Sequence, residues 1–147
     1  MLTIDDAQSQ LISRFDGLTD WEDKYKLIIR LGKDMPGLDV ADQTEDNKVN
    51  GCQSQVWLKA ELRDGRVWFT GDSDAFIVKG LVAMLLSVYS GQTPADIIKT
   101  QPAFLSAIGL DRHLSQNRTN GLASMVKKIK LYALAFQVRM SSNQQSS

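Results

Sequence analysis

The chain has 147 residues, 43% hydrophobic and 23% charged, and its 17 basic side chains balance 17 acidic ones. That length suits one domain burying roughly 70% of its unfolded surface, and the neutral balance leaves no electrostatic footprint for nucleic acid or an anionic membrane. A lone cysteine excludes an internal disulfide and fits a reducing compartment. The first ten residues contain no apolar core of a secretory signal, and the most apolar run, residues 81–86, is too short to span a bilayer. The expected setting is the cytoplasm.

Thr3 is placed to cap a first helix whose apolar face carries Ala7, Leu11, Ile12 and Phe15, with Gly17 breaking it. Thr19-Asp20-Trp21-Glu22 reads as a capping box. It opens a second helix with a stripe of Trp21, Tyr25, Ile28 and Ile29, ended by Gly32. The two helices are expected to pack as a hairpin. Residues 34–48 form a polar loop with five acids. Residues 55–62 read as a strand, Asp64-Gly65 as a primed hairpin turn, and residues 67–70 as the return strand. Two strands alone are marginal in water, so a third is expected from residues 48–51 or the loop before them.

Gly71-Asp72-Ser73-Asp74 is expected to start the longest apolar helix, with Asp72 or Ser73 capping it. Its buried face runs through Ile77, Leu81, Met84, Leu85 and Val88, and Gly91 ends it. Thr93-Pro94 starts a short helix with proline at its first position. Another spans residues 103–108, closed by Gly109. Residues 110–120 read as a polar linker holding His113, the only histidine. A last helix buries Leu122, Met125, Val126, Ile129, Tyr132, Ala133 and Phe136. The single domain is expected over residues 1–140, with residues 141–147 a disordered polar tail. The fold class is α+β: a small antiparallel sheet packed with helices.

Chemistry concentrates at Gly51-Cys52-Gln53. Glycine tolerates a turn before the thiol, and the strand-like Val56-Trp57-Leu58 follows. Cys52 is therefore expected on a bend at the mouth of a strand. The exposed thiol of a nucleophile and the small buried hydrophobe are both readings of a lone cysteine. One Cys and one His do not make a zinc site or an iron–sulfur scaffold. There is no Cys-x-x-Cys pair and no phosphate-binding glycine loop. Three classes survive: sulfur exchange on a single thiol; a Cys–His hydrolase or peroxidase in which His113 serves Cys52 as base; and an adaptor with an inert thiol.

Gly51-Cys52-Gln53-Ser54-Gln55-Val56-Trp57 resembles the signature of the SufE family of sulfur-acceptor proteins. Gly71-Asp72-Ser73-Asp74 leading into Ile77-Val78-Lys79-Gly80-Leu81 is similar to the family's second motif. Arg118 with Gly121-Leu122 resembles its third, and the likeness runs from about residue 21 to 135. It implies a SufE/IscU-like fold. It also implies a protein that takes persulfide sulfur onto Cys52 from a pyridoxal-phosphate cysteine desulfurase, stimulates that enzyme, and delivers sulfur for iron–sulfur cluster assembly. Such a protein carries no cofactor or metal of its own. Its partners would be a SufS- or CsdA-like desulfurase and iron–sulfur scaffold proteins, with no nucleic acid and no membrane. Trp21-Glu22-Asp23-Lys24-Tyr25 looks more like the CsdE branch and the Cys52 motif more like SufE, which leaves the choice of desulfurase open.

Gly51, Gln53, Asp72, Asp74 and Arg118 are the expected partner-binding residues around Cys52. Capping for the acids and simple packing for Arg118 stand as the alternatives. Val49, Val56 and Trp57 are expected to line a pocket sheltering the thiol. Gly51 and residues 42–50 are expected to act as the hinge that exposes it.

Overall fold

The computed structural model describes residues 2–145. Helix α1 (Ile4–Ser13) is capped by Thr3, whose Oγ1 accepts the Asp6 N–H at 3.1 Å. Helix α2 (Trp21–Asp34) is capped by Asp20 rather than Thr19, and it runs past Gly32 to Asp34. Strands β1 (Val56–Arg63) and β2 (Arg66–Ser73) pair antiparallel in register Val56↔Ser73 to Arg63↔Arg66. Asp64 and Gly65 have φ of 55° and 76°, the two positive values of a type I′ turn.

Helix α3 (Phe76–Tyr89) follows, then α4 (Pro94–Lys99), α5 (Phe104–Ile108), α6 (Leu110–His113) and α7 (Gln116–Gln145). The α+β reading holds.

The core is built around α3. Its Ile77, Leu81, Val82, Met84, Leu85 and Val88 are buried, and it packs against α1, α2, β2 and α7. Helices α1 and α2 therefore meet α3 rather than forming the expected hairpin with each other. The α2–α3 crossing explains Gly32. A Cβ on Gly32 would lie 2.6 Å from the Gly80 nitrogen, and one on Gly80 would land on the Ile28 carbonyl. Gly32 sits inside α2 because the two backbones touch there.

The expected third strand is reduced to one bridge, Lys48 to Trp57; a second bridge joins Val67 to Gln92. The expected cap at 72–74 is corrected too. Asp72 and Ser73 belong to β2, and Ala75 is the N-cap of α3 with no side-chain cap bond. The expected linker at 110–120 is mostly helical, because Leu110 is fully buried and anchors α6. Helix α7 continues through Gln145 into the segment expected to be a tail; residues 146 and 147 lie outside the described residues. Among the described residues, no helix is long and apolar enough to cross a membrane.

Candidate functional site

The segment holding Cys52 is a loop with a clamped base. The Val49 N–H donates to the Val56 carbonyl at 2.8 Å, and Leu58 N–H to the Asn47 carbonyl at 2.8 Å. At the far end the Gln55 N–H donates to Asp74 Oδ1 at 3.0 Å. The Asp74 N–H returns to the Gln55 carbonyl at 3.2 Å. Residues 50–54 arch between these clamps. Gly51 has φ +92°, and a Cβ there would lie 2.7 Å from Ser124 Oγ. Glycine serves twice at this position, for the turn and for the approach to α7.

Cys52 is half-buried. Its thiol donates to the Gly121 carbonyl at 3.7 Å, a weak bond to α7. The sulfur faces a recess of about 20 Å³ lined by Val78 and Leu81 from α3 and by Arg118, Gly121 and Met125 from α7. A space of that size holds about one water-sized atom. Burial pushes the Cys52 thiol above its ordinary pKa, so the thiol form is favoured at neutral pH. A cavity of about 600 Å³ between α1, the end of α2 and α3 includes no residue of the Cys52 loop.

The expected site residues divide. Gly51 and Gln53 flank the thiol on the loop. Arg118 lines its recess. Asp74 clamps the loop without facing the recess. Asp72 is turned elsewhere: its carboxylate accepts the Leu38 N–H at 3.0 Å and pairs with Lys79 at 3.5 Å. It fastens the 37–43 segment to the sheet.

The recess is walled by Val78, Leu81, Gly121 and Met125 instead of Val49, Val56 and Trp57, which are buried elsewhere. Residues 42–50, expected together with Gly51 to act as the hinge, are tied at several points. Asn47 Nδ2 holds the Asp42 carbonyl at 2.8 Å, Lys59 holds Asp42 at 3.2 Å, and Val49 is buried. Among the described residues, the one hydrogen bond made by residues 50–54 is the weak one from Cys52 to the Gly121 carbonyl.

His113 is not brought to Cys52. Its ring stacks on Trp21, centroids 4.5 Å apart and planes 13° off parallel. It does not line the recess. Sequence reasoning missed Val78, Leu81, Met125 and Ser124 as site residues. Val78 and Leu81 lie within the second family motif, but their helical apolar spacing, like that of Met125, reads as core, and nothing in the sequence sets Ser124 apart.

Comparison with known proteins gives a consistent picture. Residues 9–133 match the family model described as SufE, Fe-S metabolism associated domain. The chain is 43% identical over 126 residues to an uncharacterised SufE-like protein of Rhizobium meliloti, covering 82% of this chain and 90% of that protein. It is 38% identical over 133 residues to an uncharacterised SufE-like protein of Synechocystis, covering 90% and 84%. Its backbone is similar to the solution structure of a hypothetical protein from Thermus thermophilus. That match has TM-score 0.72 and 19% identity, over 88% of this chain and 94% of the other; it bears on the fold alone.

Proposed function

The chain belongs to the SufE family, whose domain is associated with iron–sulfur metabolism, and on that footing we propose that Cys52 accepts sulfane sulfur from the persulfide of a pyridoxal-phosphate cysteine desulfurase. The Cys52 thiolate attacks the outer sulfur of the donor's persulfide. The donor's S–S bond breaks, a new bond forms between Cys52 Sγ and the transferred sulfur, and the donor cysteine leaves as thiolate. The proton lost by Cys52 is balanced by the one the leaving thiolate takes up, and no external oxidant is needed.

One observation carries this reading. The only thiol of the chain sits on a clamped loop, facing a recess with room for about one further atom. In that recess a persulfide would be shielded from stray thiols. Residues 50–54 could swing outward between their clamps to reach a partner's active site. The partner favours the outward state only as far as it contacts that state better. From Cys52 the sulfur passes onward to iron–sulfur scaffold proteins, and the desulfurase turns over faster because its own thiol is cleared.

The test is intact-mass spectrometry after incubation with desulfurase and free cysteine. Wild type should gain one sulfur atom, released by reductant and mapped to Cys52, and Cys52→Ser should gain none. Wild type without the adduct, in the presence of an active SufS- or CsdA-like enzyme, contradicts the proposal.

A further inference from the structure

Helix α7 carries a second stripe that the core does not use. Leu122, Met125, Ile129 and Ala133 are buried on its inner face. On its outer face Leu131, Leu134 and Val138 are 55%, 47% and 59% exposed. Their spacing of three and then four residues is that of a coiled-coil seam. Followed toward the start of α7, the same register passes Lys127 and reaches Ser124, the residue beneath Gly51. The seam therefore begins under the Cys52 loop. A cleft of about 250 Å³ between the loop and α7 sets Lys48, Lys127 and Lys128 around Leu131.

Charge selects the occupant. Helix α7 contains Arg118, Lys127, Lys128, Lys130 and Arg139, and no Asp or Glu. Lys128 and Lys130 take the flanking positions that set partner choice in a helical seam. The nearby Asp46 meets Lys128 through its backbone carbonyl, at 3.0 Å. Lys127 and Lys130 have no carboxylate partner among the described residues. Two copies paired along this stripe would oppose cation to cation with no acid on either helix, which is repulsive. An anionic bilayer could take a basic apolar face, but it offers no thiol to the cysteine the seam adjoins.

We propose that the outer face of α7 docks an amphipathic helix with acidic flanks, carried by the protein that exchanges sulfur with Cys52. This rests on the sulfur-acceptor reading. The partner helix would lie its apolar stripe on Leu131, Leu134 and Val138, and its carboxylates would face Lys127, Lys128 and Lys130. Alignment along the seam brings the partner to the loop at its end.

Two surface variants test it: Leu131→Ser with Leu134→Ser and Val138→Ser, and Lys127→Glu with Lys130→Glu. Each is titrated against the desulfurase that loads Cys52, and loading is measured both by that enzyme and by inorganic polysulfide. Polysulfide needs no docking, so it should load wild type and both variants alike, which also certifies their folding. Both variants should bind the desulfurase about tenfold more weakly or worse, as lost apolar contact and reversed charge predict. Wild type and the serine variant should both lose affinity as salt rises, and the glutamate variant should lose that dependence.

Wild-type affinity in both variants would overturn the inference while leaving the sulfur-acceptor reading intact. So would a wild-type dimer in sedimentation that the serine variant dissolves, or phosphatidylserine vesicles that bind wild type and not that variant. Failure of the desulfurase to load wild-type Cys52 would instead remove the acceptor reading, and the docking proposal with it.

Discussion

The Cys52 sulfur lies where Gly121 has no side chain: a Cβ on Gly121 would be 3.4 Å from it, and the Gly121 carbonyl accepts the thiol at 3.7 Å. An added methyl would just fit, and a branched side chain would not. Gly121→Val should therefore expel the thiol from its recess. Alkylation by iodoacetamide at neutral pH should accelerate, because an expelled thiol escapes the desolvation that raises its pKa. A rate equal to wild type would mean that the recess does not hold the thiol.

Burial sets the pH dependence of the same reaction. Desolvation raises the Cys52 pKa, so the reactive thiolate is scarcer at neutral pH than in an unstructured peptide, where the pKa is about 8.5. The alkylation rate of free protein should start below that of a cysteine peptide and reach its inflection at higher pH. An inflection at or below the peptide's would contradict a sheltered thiol.

Asp72 and Asp74 should separate cleanly. Asp72→Ala strands the Leu38 N–H and Lys79, and should cost about 2 kcal/mol in urea melts with Cys52 reactivity little changed. Asp74→Ala removes the clamp on Gln55, and should cost about 1 kcal/mol while alkylation of Cys52 speeds up. Faster alkylation from Asp72→Ala alone would reverse these assignments.

At the crossing of α2 and α3 the two backbones meet at Gly32 and Gly80. Gly80→Ala drives a methyl into the Ile28 carbonyl, and helix backbones cannot yield as a flexible side chain can. It should cost about 3 kcal/mol or more by urea unfolding. A loss under about 1 kcal/mol would mean that the helices can separate without penalty.

Tyr89 contributes a stability that depends on alkaline pH. Its hydroxyl donates to the Thr100 carbonyl at 2.8 Å, and burial pushes its pKa up to about 12. The folded state holds this proton more tightly than the unfolded chain, whose tyrosine pKa is about 10. Its contribution is therefore complete below about pH 10 and is lost as pH rises toward 12. Tyr89→Phe should cost about 1 kcal/mol at neutral pH and flatten the alkaline fall. An unchanged alkaline limb would assign that fall to another group.

Much of this architecture is written in local chemistry. Asp64-Gly65 specifies its turn because both residues tolerate positive φ. Thr3 and Thr93-Pro94 mark helix starts through a hydroxyl cap and a preset φ. The apolar run of α3 can only be central. The misreadings arise where a residue has two uses that its neighbours do not distinguish. Gly32 looks like a helix end, yet serves a backbone contact with Gly80, a residue far along the chain. Asp72 and Ser73 look like caps, yet finish a strand because Trp57 and Val56 lie opposite them. At the site, the motif names Cys52, Gly51 and Arg118. The recess walls stay hidden because Val78, Leu81 and Met125 keep the same spacing whether they fill a core or shelter a thiol.

The account rests on Cys52 holding the transferred sulfur, and the most direct measurement is desulfurase turnover with Cys52→Ser in place of wild type. The hydroxyl is nearly isosteric but cannot carry sulfane sulfur. Alanine release by the desulfurase should rise with added wild-type protein and stay at its basal rate with Cys52→Ser, while titration shows the variant still bound. Undiminished stimulation by Cys52→Ser would contradict the account.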